Sequence, residues 1–161
     1  MNYFEDIKNK ILDGDQLTAW LETCRKNNKK IVFSNGCFDI LHRGHVEYLA
    51  KAAAFGDVMI IGLNSDASVK RLKGPSRPIN DENARAFVLA GLEFVNAVVL
   101  FDEDTPYNLI KTIQPDVLVK GSDYKPENIV GYDIVTAKGG KVETIDLVEG
   151  YSTTEIINKM K

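Results

Sequence analysis

Histidine is almost missing from this chain. There are two in 161 residues, His42 and His45, three positions apart with Gly44 between them. That scarcity excludes histidine-rich metal tracts and leaves one place where imidazole chemistry can occur. Cysteine is as sparse. Cys24 and Cys37 do not make a disulfide framework in a chain this long, and they fit a reducing compartment, so a cytoplasmic protein is expected. Basic charge is not in excess either. Twenty Lys and Arg stand against 23 Asp and Glu, a net charge of −3, which argues against a nucleic-acid partner but leaves room for a local site for a small anion. No apolar run approaches the length that spans a bilayer, so no membrane partner is expected. The first residues, "MNYFEDIKNKILDGDQL", carry several charges and no apolar core of signal-peptide type. No repeat or low-complexity tract interrupts the chain.

What is present is a globular composition, 44% hydrophobic and 27% charged, at a length that suits one domain, residues 1–161. Residues 1–28 read as a helical segment. In it "LTAWLETCRKNN" spaces Leu17, Trp20, Leu21 and Cys24 at helical intervals. Residues 29–161 alternate short apolar runs with amphipathic ones. The runs "KKIVFSN", "DVMIIGL", "NAVVLF", "DVLVKG" and "KVETIDL" predict buried strands. Between and after them, His45 to Phe55, "NARAFVLAGL", "TPYNLIKTI", "NIVGYDIVTAKGG" and "STTEIINKMK" predict helices, the last with Ser152 and Glu155 at capping-box spacing. The expected fold is α/β, a Rossmann-like doubly wound parallel sheet of about five strands with helices on both faces. In such a sheet the ligand edge lies at the strand C-terminal ends. The segments there are "NGCFDILHRGH", "NSDASVKRLKGPSRPIN", "FDEDTP", "KGSDY" and "EGYSTT". Asn64 to Asn80 reads as an unusually long loop, a length often tied to function.

Both histidines fall in the first of these segments. Gly36 lets the backbone turn at the strand end, and Gly44 precedes His45 at the start of a helix. A helix N-terminus offers free N–H groups and a positive dipole end, so a polyphosphate is the natural guest. Three other readings compete: a surface pair without a role, a zinc site from Cys37, Asp39, His42 and His45, and a structural histidine. The spacing matches no usual zinc pattern, and no second Cys/His cluster exists.

"GCFDILHRGH" resembles the G-x-F-D-x-x-H-x-G-H signature of the cytidylyltransferase-like nucleotidyltransferases. The likeness extends through "GLNSDASVKRLKGPSRPIN", "ARAFVLAGLE", "FDEDTP", "PDVLVKGSDY" and "VEGYSTTEII" to the adenylyltransferase domains of ADP-heptose synthases. That resemblance implies transfer of AMP from ATP to D-glycero-β-D-manno-heptose 1-phosphate, giving ADP-heptose and pyrophosphate. It also implies Mg2+ accompanying ATP, a homodimer, and a separate sugar kinase.

By the same resemblance His42 and His45 contact the triphosphate. Asn35, Gly36, Cys37, Phe38 and Gly44 form the turn around it, and Asp39 either orients that turn or is simply structural. Lys73 is the first choice for a catalytic lysine, because Gly74 and Pro75 shape the backbone beside it, and Lys70 is the alternative. Asn64, Asp66, Arg77 and Arg85 are substrate or phosphate candidates. Lys120, Gly121 and Asp123 are expected at the nucleotide, where Ser122 departs from the usual "KGGDY". Ser152, Thr153 and Thr154 are expected there too, as capping residues, phosphate contacts or both. Within the same family a glycerol-3-phosphate cytidylyltransferase or an FMN adenylyltransferase would share the turn. A noncatalytic nucleotide-binding regulatory module is the reading of another class.

Overall fold

The computed structural model describes residues 1–161. Five parallel strands run β1 (Ile31–Gly36), β2 (Val58–Asn64), β3 (Ala97–Phe101), β4 (Val117–Gly121) and β5 (Lys141–Ile145), in the sheet order β3-β2-β1-β4-β5. Each of these strands matches a run that the apolar pattern predicts, β1 and β2 extending one residue past it. Side chains alternate across the pleat, so each strand feeds two cores. Val32, Met59, Ile61, Leu63, Val98, Val117 and Val119 face one side. They pack against Tyr48, Leu49 and Ala52 of α3 (Arg43–Ala53) and Ala86, Leu89 and Ala90 of α5 (Glu82–Ala90). Ile31, Phe33, Ile60, Ala97, Val99 and Leu118 face the other side. There they meet α2 (Gly14–Lys26), α6 (Tyr107–Ile113) and α7 (Tyr132–Ala137). Two buried faces are why the strands read as unbroken Val/Ile/Leu runs. α1 (Tyr3–Lys8) precedes a short bridge from Ile11 to Val98, which covers part of the exposed edge of β3. No helix is long and apolar enough to cross a membrane.

The order of the strands places the site. The chain lays down β1, β2 and β3 in one direction, then returns to the other side of β1 for β4 and β5. β1 and β2 pair through six residue pairs, from Ile31↔Val58 to Gly36↔Leu63. β1 and β4 pair through only two, Val32↔Val117 and Phe33↔Leu118. Beyond Phe33 these two central strands therefore part, and a crevice opens at the point where the winding reverses.

Three boundaries differ from the sequence expectation. The stretch read as a loop from Asn64 contains α4 (Asp66–Lys73), capped by Ser65 and ended by Gly74 at φ +103°. The helix after β1 begins at Arg43 with His42 as its N-cap, so Gly44 and His45 already lie in its first turn. The helical reading of 128–140 is cut short. Asn128 ends a 3₁₀ turn (Pro126–Asn128), and α7 begins only after Gly131 at φ +94°.

Gly131 answers two demands at once. Its φ is one that side-chain-bearing residues rarely adopt, and an added Cβ would lie 2.7 Å from Ile110 Cδ1. Gly139 shares the positive φ, at +84°, but has open space around it. Gly131→Ala is therefore expected to lower the unfolding free energy by about 2–4 kcal/mol and Gly139→Ala by about 1 kcal/mol. Urea denaturation of both variants checks the order.

Candidate active site

A cleft of about 720 Å3 occupies the crevice at the strand ends. Its floor is the end of β1 and the turn after it, Asn35 to Asp39, with His42, Gly44 and His45 from the start of α3. The two imidazoles stack, with ring centroids 3.8 Å apart and planes 23° from parallel. Phe38 meets His45 edge-on at 5.2 Å. Gly44 makes this possible. A Cβ there would stand 2.9 Å from His42 Cε1 and 3.1 Å from Tyr151 Cβ, displacing the ring.

The proton on His45 is assigned by its neighbours. The main-chain N–H of His42 donates to His45 Nδ1 at 3.3 Å, so Nδ1 accepts and the neutral ring carries its hydrogen on Nε2. Burial, reinforced by the adjacent His42, pulls the His45 pKa down to about 4. The ring is thus a neutral donor at physiological pH. Burial also lowers the pKa of His42, whose Nδ1 is enclosed and has no hydrogen-bond partner. Tyr48, one turn further along α3, joins the helix to β1 through a buried contact of 2.9 Å between its hydroxyl and Ser34 Oγ. Burial pushes its pKa up to about 12.

Two cationic side chains line the same cleft as the imidazoles. Lys120, at the end of β4, spans the crevice and donates to the Asn35 carbonyl at 3.3 Å, with its ammonium 5.6 Å from the Tyr124 ring. Burial lowers its pKa, partly offset by Cys37 and Asp123. Lys73 lines the cleft from the end of α4, and Lys70 does not, although both are exposed. The fold thus separates the two lysines that the sequence left as alternatives. Burial raises the Cys37 thiol pKa, so it is uncharged here.

On the far wall stand Gly121, Asp123, Ser152, Thr153 and Thr154. Ser152 Oγ caps α8 (Thr153–Lys159) by accepting the Glu155 N–H at 3.0 Å; no return bond from the Glu155 side chain forms, so the expected capping box is only half made. Thr153 Oγ1 donates to the Ile40 carbonyl at 3.3 Å, tying this wall to the histidine turn. The apolar share of the wall, including Leu72, Ile129, Val130, Leu147 and Val148, carries no motif and was not anticipated. Asp104, Thr105 and Pro106 also line the cleft, from the "FDEDTP" segment that the sequence placed at the ligand edge.

One charged candidate lies beneath the cleft rather than in it. Arg85 is 2% exposed and makes four hydrogen bonds. It donates to the Cys37 carbonyl at 2.7 Å, the Asn64 carbonyl at 2.8 Å, the Asn80 carbonyl at 2.9 Å and Asp66 Oδ1 at 2.8 Å. It is neither a ligand contact nor a surface ion pair. It clamps the ends of β1 and β2 together, and it holds Asp66 outside the cleft. Asn64 does line the cleft, with its amide donating to Ser68 Oγ at 3.0 Å.

Asp39 is the second brace. It accepts from Arg77 Nε at 2.6 Å and from the N–H groups of Ile79 and Asn80 at 2.8–2.9 Å. Burial alone would raise its pKa, but these bonds overcome that and hold it below the usual carboxylate range. Arg77, still at the cleft rim, is therefore ion-paired.

A stacked imidazole pair on a glycine turn, with two ammonium groups beside it at the reversal of a parallel sheet, defines a site suited to nucleotide phosphates. Comparison with known proteins agrees. Residues 33–159 match the cytidylyltransferase-like family, and the chain belongs to that family. It is 57% identical over 155 residues to the bifunctional protein HldE of Geobacter metallireducens, covering 96% of this chain and 31% of that protein. Against the bifunctional protein HldE of Campylobacter concisus it is 63% identical over 137 residues, or 85% of this chain and 28% of that one. The chain thus spans about a third of the length of these curated relatives. The crystal structure of a lipopolysaccharide core biosynthesis protein from Thermoplasma volcanium superposes with a TM-score of 0.59 at 27% identity, over 77% of this chain and 99% of that one. A pantoate-beta-alanine ligase from Francisella tularensis, at 18% identity and the same TM-score over 93% of this chain, shares the fold.

Asp39→Ala would leave the mostly buried Arg77 guanidinium and two part-buried N–H groups unpaired, an expected cost of about 3–5 kcal/mol. Because the folded pKa of Asp39 is depressed, its contribution is present above the unfolded value near 3.8 and fades as pH falls through the folded one. Urea unfolding of Asp39→Asn and the unaltered chain at several pH values should show their difference shrinking below about pH 4.

Proposed function

We propose that the chain is a sugar-phosphate adenylyltransferase, joining AMP from ATP to D-glycero-β-D-manno-heptose 1-phosphate and releasing pyrophosphate. The observation that carries the chemistry is the neutral His45, with its one N–H on Nε2 at the phosphate end of the cleft. The choice of sugar and base rests on the 57–63% identity to proteins named HldE. A sugar phosphate is largely a dianion at neutral pH, because its second pKa lies near 6. It attacks the α-phosphorus without a general base, so a cleft with no catalytic carboxylate pair suffices. Charge grows on the phosphate oxygens as pyrophosphate leaves. A fixed donor on His45, the ring of His42 and the ammonium groups of Lys73 and Lys120 stabilise that charge without having to reorganise.

Magnesium belongs to this reading as the companion of ATP. No group of three or more His, Cys, Asp or Glu is arranged to hold a metal ion. The nucleotide phosphates would therefore supply most of its ligands, with Asp123 the cleft carboxylate free to add one. A homodimer and a cytoplasmic setting complete the proposal. Both thiols are free, which suits a reducing compartment, and sedimentation velocity tests the dimer.

Pyrophosphate release measured with ATP or CTP and each acceptor tests the assignment. Turnover is expected with ATP and heptose 1-phosphate. Turnover only with CTP and glycerol 3-phosphate would move the chain to another branch of the family, and none with any pair would favour a regulatory module. His45→Ala should lower kcat by about 10²-fold or more, the scale for loss of one preorganised donor.

A further inference from the structure

A second concavity, of about 470 Å3, lies at the opposite end of the sheet, where the strands begin. Nine residues line it and none is hydrophobic. The end of α2 and the turn into β1 supply Arg25, Lys29 and Lys30, the start of β4 supplies Asp116, and the turn from α7 to β5 supplies Lys138 and Lys141. Five cationic side chains thus face one carboxylate, in a chain whose net charge is −3.

That carboxylate is already engaged. Asp116 Oδ2 accepts the Ile31 N–H at 2.8 Å, and Oδ1 lies 3.3 Å from Lys138 Nζ. Arg25 donates to the Ile113 carbonyl. The side chains of Lys29, Lys30 and Lys141 make no ion pair. The next carboxylate along, Asp57, accepts the main-chain N–H of Lys30 at 2.7 Å and does not line the basin.

Shape and lining select the occupant. A protein interface needs apolar or aromatic anchors at its centre, and here there are none. Nucleic acid needs a basic stripe along a surface, and this is a single local concavity on a chain of net charge −3. Crowded like charges around a concavity are relieved by a multivalent counterion. We propose that the basin is a second anion site, distinct from the nucleotide cleft, which takes a small molecule bearing two or more phosphate groups.

Backbone amide spectra of the 15N-labelled chain, in 150 mM NaCl without magnesium, test this. The probes are inorganic tripolyphosphate, with contiguous phosphates, and fructose 1,6-bisphosphate, with separated ones. At least one should move the Gly139 and Gly140 signals along a saturating curve with a midpoint below about 1 mM. In the variant K29Q/K30Q/K141Q that midpoint should rise tenfold or more. The three lysines are exposed, so the rest of the spectrum should stay in place. The Gly36 and Gly121 signals report the cleft separately and should titrate alike in both proteins, so failure of the cleft reading would show there alone. The proposal is overturned if neither probe moves Gly139 and Gly140, if their shifts grow without saturating, or if the triple variant keeps the same midpoint.

Discussion

The His42 main-chain N–H that donates to His45 Nδ1 decides what the cleft can do. A neutral imidazole has one hydrogen, and this contact sends it to Nε2. Burial then keeps the ring from gaining a second proton, with a pKa of about 4. The result is a donor whose direction and charge hold over the whole physiological range. A free histidine with a pKa near 6.5 would switch between one donor and two across that range.

That contact is possible only because the turn beneath it is rigid. Two buried side chains supply the rigidity. Arg85 binds the carbonyls of Cys37, just after β1, and of Asn64, at the end of β2. Asp39 binds the N–H groups of Ile79 and Asn80, fastening the segment after α4 onto the histidine turn. The strand order supplies the opening between β1 and β4, and these two residues fix the turn on its β1 side. Charge inside the protein here serves position, since each group is matched by hydrogen bonds to fixed backbone.

Much of this was legible from the residues. The five strands announce themselves as apolar runs, and "GCFDILHRGH" places both rings at a strand-to-helix turn. α4 was not legible. "DASVKRLK" offers only Val69 and Leu72 as an apolar stripe, and the Gly74-Pro75 and Pro78 that follow resemble loop punctuation. Its Ser65 cap was the one available signal. Arg85 was misplaced for a deeper reason. Its partners are mostly backbone carbonyls, which every residue has and no pattern marks, so a buried arginine cannot be told from an exposed one by spacing. The apolar wall of the cleft escaped for the same reason, because Leu72, Val130 and Leu147 come together from segments far apart in the chain.

Side-chain 15N spectra of the histidines, followed from pH 8 to pH 3.5, put the central claim to its most direct test. The account predicts that His45 shows a bare, accepting Nδ1 and a protonated Nε2 down to about pH 5, with its second proton arriving near pH 4. A His45 protonated on Nδ1, or one that titrates near the ordinary 6.5, would contradict it.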